Sequence, residues 1–164
     1  MSDLAELQNL LNKAAKQIPE KALQIIGVEG IKFIEKNFRD GAFTDTSTRK
    51  WEERKTEDNQ GQDITRYRTN RVGRAGRLNR YGSKIQDRAL LVGYGTGGDK
   101  LKNSFRYRIN RGSRAVQFYT YKKYAQRHNE GLDGMPRRQF MGKSAYYNQQ
   151  IFKKLKKETD KLLR

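Results

Sequence analysis

The sequence has no cysteine, two prolines, one tryptophan and one histidine. Without cysteine there is neither a disulfide nor a thiolate metal site, and nothing speaks for an oxidising compartment. One histidine and scattered carboxylates supply no nucleophile with a base, no carboxylate pair and no ligand cluster, so the chain reads as a non-enzyme without a cofactor. Long apolar runs are missing too. The start, MSDLAELQNLLNK, carries an acid early and no uninterrupted apolar stretch. It predicts neither a signal peptide nor a membrane span, and a place in the cytoplasm of a host or in a particle.

Acid is scarce as well: Asp plus Glu number 18 against 36 Lys plus Arg, a net charge of +18 with a pI near 10.2. Repulsion at that density opposes compaction, so an anionic partner is expected, with nucleic acid the commonest and acidic protein the other candidate. The 164 residues fit one domain, yet 34% hydrophobic against 33% charged residues makes for a small core. A thin globule that assembles with its neighbours reconciles the two.

Read in order, the single domain divides into a helical part over 1–40, an extended loop region over 41–88 and a last part over 89–164. Leu4, Leu7, Leu11, Ala14 and Ile18 recur at helical spacing behind Ser2 and Asp3 as caps. Ile18-Pro19 ends or kinks that helix, and Pro19 suits the first position of a second one reaching Asp40-Gly41 through Ala22, Ile25, Ile26, Ile34 and Phe38. Gly27 and Gly30 weaken the second helix or let a neighbour pack close. From Gly41 to Gln62 periodicity disappears, which predicts a loop with at most a turn of helix. Trp51 within it is read as a core anchor in preference to a binding platform.

The stretch 64–84 holds Arg66, Arg68, Arg71, Arg74, Arg77, Arg80 and Lys84 with no acid. Steps of three would smear arginines around an α-helix, and Gly73, Gly76 and Gly82 disfavour one. The expectation is a long basic loop whose arginines, with Tyr67 and Tyr81 interleaved, meet nucleic acid or an acidic partner; a solvated loop is the plain alternative. Gly93-x-Gly95-x-x-Gly98 has the spacing of a dinucleotide fingerprint but the wrong context, since a strand-like alternation and no acid follow it. Ser104 to Ile109 and Ala115 to Tyr121 alternate and flank Asn110-Arg111-Gly112-Ser113, which predicts an antiparallel hairpin with Phe105, Tyr107 and Ile109 inward.

The passage from Tyr121 to Ser144 separates that hairpin from a last helix. Tyr124, Ala125 and His128 share a helical face, Gly131 suits a left-handed cap, Pro136 forces an extended entry, and Ser144 is placed to cap the closing helix. His128 has no partner at ligand spacing and reads as a structural hydrogen-bonding residue. The closing helix carries Tyr147, Ile151, Leu155, Thr159 and Leu162 as its stripe. The whole is an α+β chain: N-terminal helices and a long C-terminal helix on a small, mainly antiparallel sheet, with a long basic loop.

Tyr124, Ala125, His128, Gly131, Pro136, Arg138, Phe140 and Gly142 form a Y-A-x-x-H-x-x-G element with a proline-led R-x-F-x-G, with Gln139 where a second proline often stands. This resembles the phage virion morphogenesis family, the Mu-like tail completion proteins. Leu91, Thr96-Gly97, Leu101 and Ser104 are similar to a second element of that family, as is the placing of Trp51 after the N-terminal helices. The resemblance implies a structural virion protein, a tail terminator or neck component that caps the tail and joins it to the head. It also implies a homo-oligomeric ring, six-fold by family expectation, located in the virion and in host cytoplasm during assembly. Neighbouring tail-tube and neck proteins would be its partners, with DNA in the lumen and no membrane. Tyr124, His128, Pro136, Arg137, Arg138 and Phe140 are the expected subunit interface, because aromatics and arginines favour interface centres, with Phe140 as anchor. The rival reading is a free basic protein that binds RNA or single-stranded DNA.

Overall fold

The computed structural model describes residues 2–53, 60, 90, 91 and 100–162. The arginine-rich stretch with Arg66, Arg68, Arg71, Arg74, Arg77, Arg80 and Lys84 lies outside them, as do the glycine motif at 93–98 and Thr96-Gly97.

A single helix, α1, spans Ser2–Asp40 with Pro19 inside it. Of the two outcomes expected at Ile18-Pro19, an end or a kink, the end does not occur: one helix continues past it. Proline removes one N–H and thereby strands the carbonyl four residues earlier, here that of Ala15. Both Pro19 and Ala15 are exposed, so water reaches the unpaired carbonyl and good helix formers on either side carry the helix through. It ends where the sequence indicates, at Gly41 with φ +58°.

Next comes a short hairpin, β1 (Ala42–Thr44) paired antiparallel with β2 (Thr48–Lys50), where the sequence predicts loop. Three-residue strands are too short to show a period, and β1 is buried on both faces, so no alternation exists to be read. A 3₁₀ turn over Leu101–Asn103, not a strand, precedes the second sheet. That sheet is the predicted hairpin: β3 (Phe105–Asn110) and β4 (Ala115–Thr120), antiparallel, with Phe105 opposite Thr120. Phe105 is buried and Tyr107 and Ile109 are half-buried, while the residues between them face out. A short helix α2 (Ala125–Glu130) and the closing helix α3 (Ala145–Leu162) complete an α+β fold: two long helices on two small antiparallel sheets.

The sheet and α1 meet at the two glycines. A Cβ on Gly27 would run into the ring of Tyr107, and one on Gly30 into the ring of Phe118. Of the two readings of these glycines, close packing is therefore the one the fold uses. On its other side α1 receives α3. Tyr147 stacks on Phe33 at 5.3 Å between centroids and donates to the Ile26 carbonyl at 2.7 Å, while Lys21 pairs with Glu158 at 3.9 Å, so the helices run antiparallel. Phe152, on α3, remains 70% exposed.

The core gathers Ile34, Phe38, Trp51, Leu101, Phe105, Ala125 and Phe140. Trp51 is buried there as expected, edge-on to Phe38 at 5.5 Å.

Candidate functional site

The loop that leads from α2 to α3 is tied to four other segments. Gly131 caps α2 with φ +74° and ψ +41°, and its N–H reaches the Arg127 carbonyl at 2.8 Å. A Cβ there would meet Arg137 at 2.9 Å, so glycine is required by both backbone and neighbour. Further on, the Arg138 N–H donates to the His128 carbonyl at 2.7 Å, and its guanidinium donates to the carbonyls of Glu52 and Glu53 at 3.0 and 3.1 Å. Trp51 Nε1 donates to the Gln139 carbonyl at 2.7 Å. Asn129 Oδ1 accepts from the N–H groups of Phe140 and Met141, both at 3.0 Å. Asn37 Nδ2 donates to the Phe140 carbonyl at 3.1 Å while its Oδ1 accepts from Thr44 N–H at 3.2 Å. Ser144 caps α3 as predicted, accepting from Tyr147 N–H at 3.0 Å and donating to the Thr44 carbonyl at 2.8 Å.

Phe140 is consequently no exposed anchor. It is 2% exposed within a single chain, stacked on Phe38 at 5.0 Å and tilted against Phe105 at 5.2 Å. The loop folds back over the end of α1 and lays the ring into the core. Arg138 is buried in the same way. Of the six residues expected at an interface, Tyr124 and Arg137 are exposed, and His128 and Pro136 are half-buried.

His128 lies edge-on to Tyr124 at 6.0 Å, and its Nδ1 is buried without a hydrogen-bond partner. Its backbone carbonyl bonds, but the ring does not take up through Nδ1 the bonding role read from the sequence. Burial first, and then the charge on Arg138, hold the imidazole below its ordinary value. Among the described residues no three His, Asp or Glu side chains come together in a way that could hold a metal ion.

The second surface of interest is the outer face of the β3–β4 hairpin. Arg106 stands opposite Tyr119 and Arg108 opposite Gln117. The Arg108 Nε donates to Gln117 Oε1 at 2.9 Å, and Arg106 Nη1 donates to the carbonyls of Asn103 and Phe105 at 2.9 and 2.7 Å. At the free end Arg111 pairs with Glu20 of α1 at 2.8 Å. A shallow concavity of about 690 Å³ opens there, lined by Arg108, Asn110, Arg111, Ser113 and Gln117 among others. Beyond β4, Tyr121 is 62% exposed with the Lys122 ammonium 4.9 Å from its ring centroid.

Sequence reasoning missed Asn37 and Asn129. The signal for Asn37 was present: an amide between Ile34 and Phe38 on the apolar stripe of a helix needs a buried partner. No protein-family model, curated protein or solved structure matches this chain.

Proposed function

We propose that the chain is a structural virion protein of a phage, a tail completion or tail terminator protein that forms a ring, caps the tail or sits in the neck, and joins tail to head. Copies of itself, six by family expectation, and the adjoining tail-tube and neck proteins are its partners, with DNA in the lumen. The observation that carries the reading is the single unit formed by the residues of the resemblance; three large apolar side chains also stand exposed on the long helices, Leu11 and Val28 on α1 and Phe152 among the lysines of α3. A chain with so small a core gains by covering such side chains against neighbours. The eight residues of the resemblance belong to one unit, in which Ala125, Arg138 and Phe140 are buried and Gly131 is the left-handed cap. This gives the Y-A-x-x-H-x-x-G and R-x-F-x-G positions a common structural reason, the seating of the loop onto α1 and Trp51. On this reading the interface lies on the exposed helix faces, since Phe140 belongs to the core of one chain.

Native mass determination at low and high salt tests the reading. A discrete oligomer that survives high salt is expected, because apolar contacts are not screened. A species that stays monomeric until nucleic acid is added would favour the free nucleic-acid-binding protein instead.

A further inference from the structure

We propose that the outer face of the β3–β4 hairpin is a sequence-independent binding surface for the phosphate backbone of duplex DNA. Charge is the first ground. Between Asp99 and Glu130 the sequence has no acidic residue, whereas Lys102, Arg106, Arg108, Arg111 and Arg114 all fall in the hairpin and its approach. All five are exposed, and among the described residues only Arg111 has a carboxylate partner. Grouping cations on a chain already at +18 raises repulsion that an anionic partner relieves.

Geometry is the second ground. Arg106 and Arg108 share a face two residues apart, about 7 Å along the strand, comparable with the advance of two phosphates at roughly 3.4 Å each on one DNA strand. Neither guanidinium is loose: Gln117 holds one, and the carbonyls of Asn103 and Phe105 hold the other. Those bonds use only part of the donor set of each guanidinium, so fixed N–H groups remain for phosphate oxygens. The concavity beside Arg108 and Arg111 adds the Asn110 and Ser113 side chains as neutral partners of the kind that phosphates take.

The occupant is a duplex and not a single strand, because cations outnumber rings. A stacking platform needs successive bare aromatic faces. Here Tyr119 is the one ring projecting outward from the paired strands, and Lys122 already sits over Tyr121. A two-stranded ribbon is also a width that the major groove admits.

This inference rests on the surface of one chain and stands apart from the ring reading. The test is binding of the full chain to labelled duplexes of two unrelated sequences, and to oligo(dT) of equal length, across a salt series. Both duplexes should bind alike. The double variant Arg106→Gln, Arg108→Gln should make the salt dependence shallower by about two in the log–log slope, one for each lost phosphate contact. The variant Lys50→Gln, Lys143→Gln removes the same charge from exposed positions outside the β3–β4 hairpin and the two long helices and should leave the slope unchanged. Should the double variant lose its wild-type circular dichroism, the two single variants carry the test at about one unit each. An unchanged slope, an equal change in the charge control, or tighter binding to oligo(dT) that Tyr119→Ala abolishes would each overturn the proposal. Sedimentation of the same variants keeps the two ideas separate: a ring that persists while the slope falls leaves the ring reading intact.

Discussion

Asn37 has no exposed surface, and its one amide joins Phe140 to Thr44, two segments that Ser144 also ties through the Thr44 carbonyl. Asn37→Ala strands a buried carbonyl and a buried N–H, each costing about 1–3 kcal/mol. Urea unfolding should show the loss, and a midpoint equal to wild type would mean that the amide is not the tie described here. Phe140→Ala removes an aromatic from the middle of the core and should cost about 3–5 kcal/mol with loss of the near-UV signal. His128 gives a sharper reading, because it is the only histidine and yields one resolvable imidazole signal. Its folded pKa lies below the ordinary value of 6.5, for burial and then Arg138 both disfavour the charged ring. The stability tied to the neutral ring is therefore complete above about pH 6.5 and lost as pH falls through the depressed folded value. NMR titration should place the midpoint below 6.5, and a midpoint at or above it would contradict the buried, unpartnered Nδ1.

At the scale of elements, the contact between α1 and the β3–β4 hairpin is made where α1 has no side chain. Ordinarily Gly→Ala inside a helix stabilises by about 1 kcal/mol. Gly27→Ala and Gly30→Ala should do the reverse, since each methyl would enter the ring of Tyr107 or Phe118 and push the sheet away. Thermal melts lower than wild type are expected, and higher melts would mean that the sheet is not seated there. Pro19→Ala should raise the melting temperature, as it restores one helical N–H at an exposed site with nothing else to disturb. The β3–β4 hairpin, the Gly131 cap and the Ser144 cap were legible in the sequence because each rests on a local pattern, a period of two or one residue with special backbone or capping chemistry. The passage of α1 through Pro19 and the β1–β2 hairpin were not. The first depends on which side of the helix faces water, and the second on strands too short to carry a period. The burial of Phe140 was hidden for a related reason: its partners Phe38 and Phe105 are far away in sequence, and only the fold brings them beneath the loop.

For the whole molecule, two quantities set the behaviour: a net charge of +18 and a main core cluster that takes only Ile34 and Phe38 from α1. Tyr147 adds a limit at high pH. Burial, then the nearby Glu29, push its phenol up to about 12, so the folded state favours the neutral form. That contribution is full below about pH 10 and disappears as pH rises toward the folded value. Absorbance of the phenolate should show one tyrosine titrating late, together with the unfolding transition. On the proposed reading the exposed apolar side chains of the helices are covered by copies of the chain, and an anionic partner offsets the charge that assembly concentrates.

Sedimentation velocity of the full chain at high salt, beside the variant Val28→Ser, Phe152→Ser, tests that assembly most directly. One discrete oligomer is expected for the wild type, and for the variant a monomer with an unchanged melting temperature, since both side chains lie outside the core. A wild type that sediments as a monomer at every concentration, or a variant that assembles just as the wild type does, would contradict it.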